Sequence, residues 1–301
     1  MKTPKRLLPL LEDGLIDSVI SRLMSGKEAD IFVVQCGDTI RCAKGYKDAA
    51  QRSFKKAAQY QEGRKVRNSR RARAMEKGSR FGREQQEATW QSAEVDALNR
   101  LQRAGVRVPE TFGCVDGVLL MELITESDAD DAPVAPRLSE VVLTPEQARE
   151  DHALMMHYVV LMLDAGLIHG DLSEFNVLVD DFGPVIIDLP QAVDAAANNQ
   201  AEAMLKRDVA TITAYYGQFE PALLETRYGD EIWALYEGGE LTPDVELTGE
   251  FEDTGGPADV DAVLREVQAA LAEEEARQRR LREAEGDDNA SEDDGPQDYE
   301  Q

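Results

Sequence analysis

The chain has little cysteine. Only Cys36, Cys42 and Cys114 occur in 301 residues. Their odd number excludes a closed disulfide framework, and their spacing matches no metal-binding pattern. A reducing compartment fits that usage. Long apolar runs are also missing, since none approaches the roughly 20 residues that a membrane-crossing helix needs. The basic, leucine-rich start (MKTPKRLLPLLEDG) is broken by Pro9, Glu12 and Asp13, and no small-residue cleavage site follows. It reads as a cytoplasmic start without a secretory leader, and no membrane partner is expected. No internal repeat is visible. Positive charge is in deficit: the net charge is −26. Phosphates would be repelled, so direct DNA binding is not expected.

What is present is a soluble, globular composition long enough for one large domain or two lobes sharing a core. The charge is strongly polarised. Residues 44–84 hold 14 Lys/Arg against 4 Asp/Glu, whereas residues 244–301 hold 5 against 20. The basic stretch lacks apolar periodicity and reads as a flexible insertion over 48–84. The opposite charges motivate a hypothesis that the acidic tail folds back on it as an internal pseudo-substrate.

Apolar spacing predicts a short helix over about Leu15–Leu23, strands over Ala29–Gln35 and Thr39–Ala43, and a helix over Gln86–Ala104 ended by Gly105. Phe112–Val115 and Val118–Ile124 read as a hairpin turned by Asp116-Gly117. Thr125–Pro136 is acidic and Pro-bounded, so it reads as a linker. A helix then starts at Pro145, with Leu154, Tyr158, Leu161 and Met162 on one stripe. Short strands Val177–Val179 and Val185–Ile187 follow, and helical patterns resume over Gln200–Tyr216 and Glu220–Tyr236. An amphipathic helix carrying Val260, Val263, Leu264, Val267 and Leu271 leads into an end expected to be disordered. The expected organisation is an N-lobe over 1–124, a C-lobe over 125–245 and an acidic tail over 246–301.

The chemistry sits in His169-Gly170-Asp171-Leu172-Ser173-Glu174-Phe175-Asn176 and in the apolar strand that ends at Asp188. An Asp, an Asn five residues later and a second Asp closing a strand suit phosphoryl transfer, whose transition state needs positioning and charge neutralisation. Asp171 can accept the proton of an attacking hydroxyl. Asn176 and Asp188 can hold Mg²⁺, with Mn²⁺ as an alternative, against the phosphates of ATP. An H-x-D triplet alone reads as easily as a polar hairpin turn. The full order H-x-D-x₄-N, strand, Asp is far more specific. Lys44 ends a strand, Glu94 lies on the next long helix, and Ser25-Gly26-Lys27-Glu28 precedes the strand pair, where a phosphate-covering turn belongs. That turn has one glycine and is not a Walker A loop, because position 21 is Ser.

These residues resemble the RIO atypical protein kinases, closest to the RIO1-type branch. The matching pieces are Ser-Gly-Lys-Glu-Ala (25–29), Ala-Lys-x-Tyr-Lys (43–47), Trp90-x₃-Glu94, Ala104-Gly105-Val106-x-Val108-Pro109, Met121-Glu122-Leu123-Ile124, His169–Asn176, Ile187–Val193 and Arg207-Asp208-Val209-x₂-Ile212. The resemblance implies an α+β, two-lobed protein-kinase-like fold with a trimmed C-lobe. It further implies that Ser25, Gly26, Lys27 and Glu28 cover the phosphates. Lys44 would contact the α/β-phosphates and Glu94 would hold it. Backbone groups of Glu122 and Ile124 would bind adenine, Asp171 would be the catalytic Asp, and Asn176 and Asp188 would ligate the metal. In this family the aspartate matching Asp188 can itself accept phosphate, which implies autophosphorylation or net ATPase turnover. Ser53, Ser69 and Ser79 are the candidate phosphorylation sites in the basic insertion.

Some features depart from the family pattern. Gly45 stands where a larger apolar residue is usual. About 20 residues precede the phosphate turn, too few for the winged-helix domain of the RIO2-type branch. No Ala-Pro-Glu element follows Asp188, which puts ordinary peptide recognition in question. Two other readings remain open at this point. Aminoglycoside- or choline-type kinases share the H-G-D-x₄-N core but carry His-Pro-Gly before the Asn. A nucleotide-switched assembly factor would dock its basic segment on a ribosomal particle.

Overall fold

The computed structural model describes residues 3–26, 29–47, 93–129 and 131–252. Lys27, Glu28, the basic insertion with Ser53, Ser69 and Ser79, Trp90 and the amphipathic tail helix lie outside them. Met1–Phe251 form one compact unit, and Glu252–Gln301 are a second. Among the described residues no helix is long and apolar enough to cross a membrane.

The fold is α+β and protein-kinase-like. Its first lobe is a five-stranded antiparallel sheet in the order β1-β2-β3-β5-β4. The strands are β1 (Ser18–Ser25), β2 (Ala29–Cys36), β3 (Thr39–Tyr46), β4 (Thr111–Val115) and β5 (Val118–Glu122). Asp116 and Gly117 turn β4 into β5 with φ of 49° and 77°. Positive φ at both central residues is what a two-residue hairpin turn of matching twist requires.

The sheet has two unlike faces because side chains alternate along each strand. On the outer face Val19, Phe32, Val34, Ala43, Val118 and Leu120 pack under Leu7, Leu10 and Ile16. Leu7 ends a 3₁₀ turn and Leu10 lies in α1 (Leu8–Glu12). The helix expected over Leu15–Leu23 is therefore misplaced. The helical turn comes earlier, and Ser18–Ser25 is an edge strand paired with β2. β-Branched Ile16, Val19 and Ile20 favour extended backbone, and pairing with β2 outweighs the helix propensity of Leu23 and Met24. Gly45 also belongs to this face. A Cβ there would sit 3.1 Å from Arg6 Cδ, so the missing side chain makes room for the stem of Arg6.

The inner face carries Lys44 and Tyr46 toward helix α2 (residues 93–103). Gly105 ends α2 in the left-handed conformation at φ 88°, and Val106 N–H closes back on Leu101 O at 3.0 Å.

The second lobe is built on α3 (Pro145–Asp164), α4 (Ala201–Tyr216) and α5 (Tyr228–Gly238). Thr144 caps α3 reciprocally: Gln147 N–H donates to Thr144 Oγ1 at 3.2 Å, and Thr144 N–H donates to Gln147 Oε1 at 2.9 Å. The buried stripe of α3 runs through Ala148, His152, Met155, Val159 and Met162. Leu154 and Tyr158, expected on it, lie at its half-buried rim. Two short pairs complete the lobe: β6 (Leu167–Ile168) with β9 (Val193–Asp194), and β7 (Val177–Asp180) with β8 (Gly183–Ile186). The expected linker is a folded excursion. Thr125 bridges Val134, and Ala135 N–H donates to Ile124 O at 3.0 Å.

Candidate functional site

Lys44 lies mid-sheet, paired with Ile31 on one side and Leu119 on the other. It is 7 % exposed. Its Nζ is 2.7 Å from Glu94 Oε1 and 2.6 Å from Asp188 Oδ1. Tyr46, two residues on and therefore on the same face, donates its hydroxyl to the other Glu94 oxygen. Residues 144 positions apart thus meet at one ammonium.

The electrostatics follow from burial and pairing. Burial disfavours the Lys44 ammonium, but Asp188 and then Glu94 more than reverse this, and its pKa ends above the ordinary lysine value. Asp188 opens onto a cleft walled by protein. Loss of bulk water pushes its carboxyl up, and the Lys44 charge and hydrogen bond pull it further down, below the usual carboxylate range. Burial, followed by the Glu94 charge, raises the Tyr46 hydroxyl far above its usual value, so it remains a donor.

Asp171 is placed by a different device. Gly170 takes φ 82° at the exit of β6. Asp208, on α4 and 3 % exposed, accepts Gly170 N–H at 2.6 Å and Leu172 N–H at 3.3 Å, so one carboxylate grips the backbone on both sides of Asp171. Arg207 donates to Gly170 O. His169 Nδ1 accepts Asp171 N–H at 3.3 Å while its Nε2 lies 3.1 Å from Ile187 O. A backbone N–H can only donate and a carbonyl can only accept, so these partners assign the imidazole proton to Nε2.

Asn176 follows in the same loop. Its Nδ2 donates to Asp171 O at 2.8 Å, which leaves the acceptor Oδ1 as the atom a ligand could use. Its carbonyl accepts Ile187 N–H at 3.0 Å, tying the loop to the strand that delivers Asp188. Asp188 has φ 67°, a left-handed conformation costing an L-residue on the order of 1 kcal/mol. Lys44 and the backbone around Ile187 hold it there. Among the described residues no three His, Cys, Asp or Glu side chains gather into a complete metal cage. The candidate ligands, an amide oxygen and a carboxylate, are hard oxygen donors. They suit a cation that keeps several waters and takes further oxygens from phosphates.

Ser25 and Gly26 close the β1–β2 hairpin. Ser25 Oγ donates to Asp30 Oδ1 at 2.5 Å, and Gly26 N–H donates to Ala29 O at 2.9 Å. Lys47 braces the turn with Nζ 3.4 Å from Asp30 and 3.2 Å from Ser25 Oγ. At the other edge, Glu122 N–H is already committed to Glu110 O at 2.8 Å, which leaves its carbonyl for a ligand. Ile124 is buried with Ala135 and Val185.

The RIO1 family model, described as the RIO domain, matches residues 30–228. This chain belongs to the RIO domain family. It is 37 % identical over 209 residues to the RIO-type serine/threonine-protein kinase Rio1 of Haloferax volcanii, covering 69 % of this chain and 66 % of that protein. It is 30 % identical over 228 residues to the serine/threonine-protein kinase RIO1 of Homo sapiens, covering 75 % and 38 %. To human RIO3 it is 25 % identical over 252 residues, covering 81 % and 47 %. The chain thus spans just under two thirds of the archaeal relative and well under half of the human RIO1. These relatives are all protein kinases, and nothing found favours the small-molecule-kinase or assembly-factor readings. Within the RIO domain, Tyr46, His169 and Asp208 fall in the matching sequence segments, but the sequence alone assigned them no supporting role. Asp208 was detectable as a carboxylate on an apolar helical face between Leu205, Val209 and Ile212. Tyr46 was detectable from strand alternation two residues from Lys44.

Proposed function

We propose that the chain is an ATP- and Mg²⁺-dependent phosphotransferase, a RIO-type serine/threonine protein kinase with autophosphorylation or ATPase turnover. The observation that carries this reading is the buried ammonium of Lys44 held between Glu94 and Asp188, opposite a loop whose Asp171 is fixed by Asp208. In this reading Lys44, steadied by Glu94 and Tyr46, binds the α/β-phosphates. Ser25 and Gly26, with Lys27 and Glu28 next to them in sequence, cover the phosphates. The Glu122 carbonyl and the Ile124 backbone face adenine. Asn176 and Asp188 would hold the cation, which when bound would neutralise phosphate charge. Asp171 takes the proton as the acceptor oxygen bonds to the γ-phosphorus and the bond to the β-phosphate oxygen breaks, releasing ADP. The proposed organisation is an N-lobe over 1–124, a C-lobe over 125–245 and a tail beyond. ATP is the proposed small-molecule partner, and a protein substrate or a ribosomal particle is the proposed macromolecular partner, in the cytoplasm.

Incubation with γ-labelled ATP tests this. Label should enter protein, and Asp171→Ala or Asp188→Ala should lower it by about 10²–10⁴-fold. Undiminished labelling in both variants overturns the reading. Label that survives acid and hydroxylamine identifies a phosphohydroxyl acceptor, and label lost to neutral hydroxylamine identifies an aspartyl-phosphate.

A further inference from the structure

Arg107 lies in the loop between α2 and β4, outside the Lys44–Glu94–Asp188 triad, and has no role in the reading above. Its guanidinium makes a forked pair with Glu122: Nη1 to Oε2 at 3.0 Å and Nη2 to Oε1 at 2.9 Å. Glu122 is the last residue of β5, and its carboxylate also accepts Glu110 N–H at 3.0 Å. The same Nη2 reaches Asp180 Oδ2 at 3.4 Å. Asp180 closes β7, its side chain is 4 % exposed, and its other oxygen accepts Phe182 N–H at 2.8 Å. Among the described residues its one ion pair is with Arg107. Finally, the Arg107 carbonyl accepts Ile186 N–H at 2.9 Å, two residues before Asp188.

One residue therefore grips both ends of the nucleotide cleft. Its fork fixes the strand end whose backbone faces adenine. Its carbonyl and its second ion pair fix the hairpin that carries Asp188. A planar guanidinium that holds one carboxylate through two nitrogens and a second through one of them is a stiffer link than a single flexible contact. A shift of the β7–β8 hairpin stretches the Asp180 contact, and the same nitrogen pulls on Glu122. We infer that Arg107 is a positioning residue that couples the adenine edge to the metal-bearing strand, so that nucleotide and Mg²⁺ strengthen each other's binding through it. The inference rests on the phosphotransferase reading above. It adds that affinity for the base and affinity for the metal are not independent.

The test measures dissociation constants on the full chain for adenosine and for the non-hydrolysable analogue AMP-PNP, the latter with and without Mg²⁺. The unaltered protein should bind AMP-PNP more tightly with Mg²⁺. Asp180→Asn should cut that tightening factor by about fivefold or more, the scale of a typical coupling free energy, while adenosine affinity moves less than twofold. An unchanged tightening factor overturns the inference. So does equal weakening of adenosine and AMP-PNP, which is what a merely structural loss would give. If Asp180→Asn does not fold, Arg107→Lys keeps the charge, loses the fork and is judged by the same ratio. Failure of the unaltered protein to bind either ligand overturns the phosphotransferase reading itself, and the inference with it.

Discussion

Two regions of this chain bury ionisable groups, and they satisfy them in opposite ways. Where the sheet meets the cleft, Lys44, Glu94 and Asp188 satisfy one another, charge against charge. In the helical lobe, Asp208 is satisfied by backbone N–H groups, and His152, 1 % exposed, by the hydroxyl of Thr213 at 2.8 Å. The consequence is electrostatic. Lys44 is pushed above its usual range and Asp188 below its own, so neither changes charge between about pH 4 and 8. Burial raises Asp208 to about 6 despite His169, Arg207 and two hydrogen bonds, and burial lowers His152 to about 4. The Lys44–Asp188 pair is locked in one charge state, whereas the lobe supporting it titrates.

The largest break in that comparison removes the shared cation. Lys44→Met leaves Glu94, 2 % exposed, without its ammonium. Removing one partner of a buried pair costs about 3–5 kcal/mol, and partial opening of Asp188 to the cleft keeps this case near the lower end. Phosphate transfer should fall by at least about 10³-fold, because the proposed phosphate contact and the orientation of Asp188 go together. Denaturant unfolding and γ-phosphate transfer measure the two losses. A variant with near-normal stability and activity would show that the triad is ornamental.

The next break is on the helical side. Asp208→Asn keeps the shape but replaces one acceptor oxygen with a donor facing Gly170 or Leu172. Transfer should fall by roughly 10–100-fold, the scale at which misplacement of a catalytic group is felt. Stability gives a second signature. The folded-state pKa of Asp208 lies above the ordinary aspartate value of 3.8, so its contribution is full below that value and is lost as pH rises through about 6. Compared with Asp208→Asn, the unaltered protein should therefore lose on the order of 3 kcal/mol between pH 4 and 7. Equal pH profiles for the two proteins would contradict the raised carboxyl.

How much of this was legible in the sequence depended on whether a residue acts through its neighbours in the chain. Asp171, Asn176 and Asp188 sit in a local strand–loop–strand whose turn residues and apolar flanks are contiguous. Their order suffices to read them. Lys44 and Glu94 were legible by order as well, although their meeting depends on α2 lying across the inner face of the sheet. The β4–β5 hairpin was legible because Asp-Gly has few backbone options. The edge strand Ser18–Ser25 was not, because its partner β2 decides its conformation. Tyr46 beside Lys44, the Asp208 clamp and the Arg107 fork could be placed from the sequence at most as positions, not as functions. Each acts by a contact at long sequence range: Tyr46 with Glu94, Asp208 with Gly170, and Arg107 with Glu122 and Asp180.

His152 supplies the counterpart to Asp208. Its folded-state pKa lies below the ordinary value, so its contribution is full above pH 6.5 and is lost as pH falls toward about 4. Its slope is thus opposite to that of Asp208 over the same window, and each amounts to about 3 kcal/mol. The two should nearly cancel in the unaltered protein. His152→Gln, which keeps a partner for Thr213, should expose a stability that falls with rising pH. Asp208→Asn should expose one that falls with dropping pH, and the double variant should be flat again. A double variant as steep as either single one would mean the two groups do not titrate independently.

The smallest effect falls at Tyr46. Tyr46→Phe deletes one hydroxyl and leaves the Lys44–Glu94 pair, the ring and its burial in place. A hydrogen bond to a charged group contributes about 1.5–3 kcal/mol at most, and here Glu94 keeps its ammonium partner, so a loss near 1 kcal/mol is expected. In the phosphate-transfer assay this should appear as a several-fold rise in KM for ATP with kcat nearly unchanged, because the hydroxyl steadies the pair proposed to hold the phosphates and touches nothing proposed to react. A fall in kcat with KM constant would instead place Tyr46 on the path to the transition state. The contrast between a charge-locked cleft and a titrating support would then have to be redrawn around the tyrosine.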